Sequence, residues 1–162
     1  LGISIPDNLL ISDYSDIRNR FEGEEGEHPD FLEMIEGVIS FFEEKEGDRF
    51  TCFALDSLGA LYSLTQTAEL RSKMFYFFKG LRERNLTSLI IMETPRISNI
   101  QGFLGSEWYL ADGIIEMGNI ETQHDIMLYL QIQKMRATSH SRKKHLIEIG
   151  EDGLSILGPV FE

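Results

Sequence analysis

Two short stretches carry residue types that could act on a nucleotide. In QIQKMRATSH (131–140), Lys134 and Arg136 stand two residues apart at the end of an apolar run. In FALDSL (53–58), Asp56 and Ser57 close another apolar run. If Met127–Arg136 is a strand, its side chains alternate, so Leu128, Leu130 and Ile132 share a face that continues into Lys134 and Arg136. A charge on an apolar face is costly unless it is paired. A phosphate would resolve that cost, and the planar Arg fork fits one well. Thr138 and His140 follow on the same face if the chain stays extended. The plainer alternative is that both long side chains reach past the sheet into water. An acid at the carboxyl end of a strand sits where open α/β sheets bind ligands. Asp56 could hold a magnesium ion there, usually through water, with Ser57 assisting. The same pair would serve equally as a turn or helix cap. Glu93, after the next apolar run, could orient a water or stand in solvent as a loop acid.

Several other chemistries are excluded. Cys52 is the single cysteine, so the chain can form neither an internal disulfide nor a cysteine metal cluster. Its place in an apolar run predicts a buried, inert thiol. His28, His124 and His145 show no metal-ligand spacing with one another. There is no GxSxG, CxxC or HExxH element, and no Cys–His pair. A phosphate-cradling G-x-x-x-x-G-K-[ST] loop does not occur in the 162 residues.

The elements that must position these residues alternate through the first half. Leu9–Ser12 reads as a short strand, and Glu22–Pro29 as an acidic loop. Pro29 can open a helix, in which Phe31, Leu32, Ile35, Val38, Ile39 and Phe42 form one face until Gly47-Asp48. Phe50–Leu55 is a continuous apolar strand, suited to a parallel sheet covered on both faces. Glu69–Arg84 is a second amphipathic helix with Leu70, Met74, Phe77, Phe78 and Leu81 inward. Ser88–Met92 is the next strand, and Glu93–Asp112 a long loop. Then come strands at Gly113–Met117, Ile126–Met135, His145–Ile149 and Leu154–Leu157, with turns at Gly118-Asn119, Ser139–Lys143 and Glu151–Gly153. The pattern predicts an α/β domain whose mainly parallel sheet is extended by antiparallel strands.

The length suits a single domain over residues 1–162. The net charge of −12 speaks against binding a nucleic-acid backbone. The charge is uneven. Residues 22–48 hold eleven acids against Lys45, whereas residues 134–145 hold five cations and no acid. These are either solvated faces or complementary poles of a head-to-tail oligomer. No apolar run reaches the roughly 18 residues of a membrane span. The opening LGISIPDNLLIS has no basic region or cleavage pattern, so a cytoplasmic protein is expected. The sequon Asn85-Leu86-Thr87 then reads as chance spelling.

FALDSLGALYSL, RERNLTSLIIMETPR, EWYLADGIIEM and QKMRATSHSRKKHLIEIGEDGLSI occur in an order that resembles KaiC-like ATPases of the RecA superfamily. The last block is the most specific, resembling the family's K-[ML]-R-G-[TS]-x-H segment. The resemblance implies a RecA-like fold, ATP and Mg2+ as ligands, and ring assemblies, commonly hexamers, with ATP between neighbours. It implies that Asp56 is the Walker B acid with Ser57 beside it. It further implies that Lys134 and Arg136 reach the phosphates of a neighbour's ATP, and that Met135, Thr138 and His140 line the same pocket. A signalling or regulatory output, with a possible protein partner, goes with that reading. Ala137 stands where the family usually has Gly. The phosphate loop and the acidic pair that acts as base in the family would lie before residue 1. The expectation is therefore a portion of a longer protein, lacking a mid-sheet strand beside Ser88–Met92 and left with an unpaired seam. The alternative is a catalytically inactive ring or scaffold subunit. A DNA motor fits poorly, since Glu93–Asp112 offers only Arg96 against Glu93, Glu107 and Asp112.

Overall fold

A computed structural model describes residues 5–13, 31–59, 70–93, 107–122 and 125–160. They fall in two compact units, Ser4–Glu107 and Trp108–Glu162. The expected loop Glu22–Pro29, together with His28, Arg96 and His124, lies outside the described residues.

In the first unit, α1 (Phe31–Glu46) buries Leu32, Met34, Ile35 and Ile39. The spacing of Leu32, Ile35 and Ile39 is one helical stripe. It packs with Leu70, Met74, Phe77 and Leu81 of α2 (Leu70–Glu83), and with Leu58. Gly47, at φ 55, takes the left-handed position that ends α1. Asn85 does the same after α2, at φ 60. That gives the sequon's Asn a conformational reason to be there. Arg84 ties the end of α2 back to α1, donating to Glu43 Oε2 at 2.7 Å and Ser40 Oγ at 3.2 Å.

The strands β1 (Cys52–Asp56) and β2 (Thr87–Ile91) pair in parallel, from Cys52 opposite Thr87 to Asp56 opposite Ile91. Phe53, Leu55 and Ile90 face the helices and pack on their core. The other face carries Cys52, Ala54, Leu89 and Ile91, and it is exposed. Two expectations are corrected here. Among the described residues the parallel pair is covered on one face, not two, and Cys52 is exposed because the register turns it away from the helices. Leu9–Ser12 is not a strand: Leu9 N–H donates to Pro6 O in a turn, and all four residues are exposed.

A short helix, α3 (Glu107–Leu110), leads into the second unit, inside what reads from sequence as a loop. Four antiparallel strands follow in the order β3-β4-β5-β6: Gly113–Glu121, Ile126–Met135, His145–Gly150 and Gly153–Pro159. The fold is therefore α/β with a parallel pair and C-terminal antiparallel strands, as expected. Among the described residues the two sets hydrogen-bond as separate sheets.

The turn expected at Gly118-Asn119 is not there. Strand β3 runs through it to Glu121, and beyond its end Thr122 and Asp125 bond each other at 2.9–3.0 Å. Gly118 is needed in mid-strand for another reason. It lies opposite Tyr129, and a Cβ there would meet the tyrosine oxygen at 2.8 Å. The glycine marks close approach, not a turn.

A strand-end carboxylate and a caged cation pair

Asp56 ends β1, and Ile91, its partner in the register, ends β2, so Asp56 and Glu93 stand at the same carboxyl end of the parallel pair. The strand is anchored from both sides of this point. Leu55 packs against the helical core, and Leu58, 1% exposed, is inside it. Between them Asp56 is exposed, Ser57 is half-buried, and the peptide bond joining them is cis. The Asp56 carboxylate has no hydrogen-bonding or ion-pairing partner among the described residues. Nor is there a group of three or more His, Cys, Asp or Glu there that could enclose a metal. A bare carboxylate of this kind fits a magnesium ion that keeps most of its water.

The cations stand in the second unit. Strand β4 pairs with β3 regularly until Ile115 opposite Ile132, and then Ile114 lies opposite Lys134. Gln133 is the extra residue, a β-bulge. It corrects the expectation from simple alternation. Lys134 and Arg136 do not continue the Leu128–Leu130–Ile132 face. The bulge moves Lys134 to the opposite face, which it shares with Ile114, Glu116, Tyr129 and Gln131. Arg136 extends the ladder by donating its N–H to Asp112 O at 2.8 Å.

A polar cluster supports this bulge. The Glu116 carboxylate accepts from Tyr129 OH and from Gln133 Nε2, and Gln133 Nε2 also bonds Gln131 Oε1 at 3.0 Å. Tyr129, 7% exposed, has its pKa raised. The hydrogen bond to Glu116 is the main cause, followed by burial and the carboxylate's charge. Lys144 Nζ lies 4.3 Å from the Tyr129 ring centroid, and Gln131 Nε2 donates to Arg142 O at 2.7 Å. The basic segment after β4 thus folds back along this face.

Both cations are already ligated. Lys134 Nζ donates to Ala111 O at 2.7 Å. Arg136 donates to Tyr109 O at 2.7 Å and to Asp112 Oδ1 at 2.9 Å. The carbonyls belong to the end of α3 and the residue after it, where helices leave carbonyls unsatisfied. Cations there also meet the negative end of the helix dipole. The Arg136–Asp112 pair is 46% and 66% exposed, so it contributes about 0–1 kcal/mol.

Met135 lies over Gly113, where a Cβ would stand 3.0 Å from its sulfur. Ala137 has φ 54, the left-handed conformation that a glycine takes freely. Thr138 is exposed, and its carbonyl lies 3.2 Å from His140 Nδ1. His140 Nε2 is shielded from solvent without a partner among the described residues. The structure thus brings Lys134, Met135, Arg136, Thr138 and His140 together at one end of β4. Asp56 and Ser57 belong to the other unit. Residue types alone missed Tyr109, Ala111 and Asp112 as the ligands of the cations. The signal available was an Asp immediately before a strand's first glycine.

A family model described as the KaiC ATPase matches residues 7–160. The chain is 33% identical over 127 residues to a UPF0273 protein of Thermotoga maritima, covering 78% of this chain and 50% of that one. It is 30% identical over 90 residues to the circadian clock protein KaiC3 of Synechocystis, covering 55% and 18%. The chain thus spans half or less of the length of these two relatives. A crystal structure of a KaiC-like protein from Pyrococcus horikoshii superposes with a TM-score of 0.66, at 21% identity over 83% of this chain and 58% of that one. That likeness carries the fold. With the family model spanning nearly its whole length, the chain belongs to the KaiC family of RecA-superfamily ATPases.

Proposed function

We propose that the chain supplies two parts of an ATP-hydrolysing site: an acid for the metal, Asp56, and a cation pair, Lys134 and Arg136, that acts on ATP held by a neighbouring copy. ATP is the substrate. A magnesium ion, when bound, would neutralise charge on the phosphates. Asp56 would hold that ion, with Ser57 beside it. Lys134 supplies a point charge, and Arg136 a planar fork, to oxygens of the transferring phosphoryl group. Charge on those oxygens spreads in the transition state, so fixed cations there lower the barrier. Met135, Thr138 and His140 line the same pocket around the phosphates. In this reading the copies assemble head to tail in a closed ring, commonly six, in the cytoplasm, and ATP turnover drives a regulatory output.

The observation that carries the proposal is the placement of Lys134 and Arg136. A bulge turns them to one face at the end of the sheet's longest strand, where backbone carbonyls and an exposed acid accept from them. Membership in an ATPase family supports it.

The test uses the full-length protein. Asp56→Asn and the Lys134→Ala/Arg136→Ala double variant are each expected to lose hydrolysis, the latter by about 10³-fold or more. Mixing the two is expected to restore part of the rate, because intact acid and intact cations then meet at some interfaces. No restoration in mixed oligomers would rule out action in trans. Full activity of the double variant would leave Lys134 and Arg136 as structural residues of a scaffold subunit.

A further inference from the structure

We infer that the segment Tyr109–Asp112 is an exchangeable internal ligand of the two cations, competing with phosphate for them, and that Asp112 sets the strength of that competition. This rests on the reading of Lys134 and Arg136 proposed above. Three acceptors converge on the pair: the carbonyls of Tyr109 and Ala111, and the carboxylate of Asp112. They offer what a phosphate offers, oxygen acceptors with partial or full negative charge, at 2.7–2.9 Å. Arg136 spends both terminal nitrogens on them, one on Asp112 and one on Tyr109. A guanidinium so engaged has fewer of its five N–H donors left for a phosphate.

The contacts differ in kind. The bond from Arg136 N–H to Asp112 O belongs to the backbone ladder and stays whatever the side chains do. The side-chain bonds involve an exposed acid and two terminal carbonyls, and water can replace the cations at all three. So the cations can leave without unfolding the strand. When they leave, the end of α3 loses its cap, and the chain leading into β3 is freed. Occupancy of the phosphate site is thereby transmitted to residues 107–112 of the same chain. Asp112 acts through Arg136 and touches no reacting atom in this scheme, which makes it a positioning residue.

The experiment measures ATP hydrolysis by the full-length protein over a range of ATP concentrations. Variants are Asp112→Asn, Asp112→Glu, and Asp152→Asn as a charge control in the exposed β5–β6 turn. The half-saturating ATP concentration of Asp112→Asn is expected to fall about two- to fivefold, the factor an exposed ion pair represents. Its kcat should be unchanged, with Asp112→Glu near wild type and Asp152→Asn without effect. In wild type, ATP should also speed amide hydrogen exchange within residues 107–112. An unchanged or raised half-saturation in Asp112→Asn, or an equal fall in Asp152→Asn, overturns the competition. The Lys134→Ala/Arg136→Ala variant separates the failures. If it is inactive while Asp112→Asn behaves as wild type, only the competition falls. If it hydrolyses ATP normally, the phosphate role falls as well.

Discussion

Ala137 shows how much one residue can hold. It follows Arg136 directly and sits at φ 54, where a Cβ crowds the following carbonyl. Glycine, which the family pattern has at this point, takes the conformation without that cost. Ala137→Gly is therefore expected to stabilise the fold by about 0.5–1 kcal/mol despite the freer unfolded chain, read as a higher midpoint in denaturant melts. Destabilisation would mean that the turn relaxes to negative φ in solution. The substitution itself was legible in the sequence, and so was its local character. Its backbone angle was not, because that depends on the ladder bond that brings Arg136 onto Asp112. Cys52 teaches the reverse lesson. Its apolar neighbours predict burial, yet which side of a strand faces the helices is decided by pairing, and pairing left the thiol outside.

Among the elements, the helices were the most legible. The stripes Leu32–Ile35–Ile39 and Leu70–Met74–Phe77–Leu81 are buried as their spacing requires. Such stripes report a contact that every amphipathic helix must make. Strand β3 was the least legible, since its glycine looks like punctuation until the Tyr129 ring is seen lying on it. Gly118→Ala is expected to push against that ring and disturb the Glu116–Tyr129–Gln133 cluster, costing about 1–3 kcal/mol. Chemical denaturation measures it, and an unchanged midpoint would show that the ring moves aside freely. The α3 helix was hidden for a simpler reason. At four residues it is too short to show a period.

For the molecule as a whole, the unfinished surfaces matter most. Leu89 and Ile91 lie on the bare face of the parallel pair, 59% and 49% exposed. In the other unit Ile115, Met117, Ile126, Ile149, Leu154 and Ile156 are each 49–62% exposed. Apolar surface of this extent is uncommon on a protein that works alone. No described helix is long and apolar enough to cross a membrane. The 162-residue chain by itself is therefore expected to self-associate, its apparent mass in sedimentation rising with concentration. A concentration-independent monomer that melts cooperatively would contradict this.

Strand β3 has nine residues and β4 has ten. The spare residue is Gln133, and it governs more than local geometry. Were the two strands to pair without it being spare, the same Lys134 and Arg136 would emerge on the other side of the sheet, with every side chain intact. The molecule thus stores the direction of its cations as a count, not as a residue type. Matching lysine to lysine and arginine to arginine between two chains does not establish that they serve the same side. The tally of paired residues back to the Thr122–Asp125 bonds does.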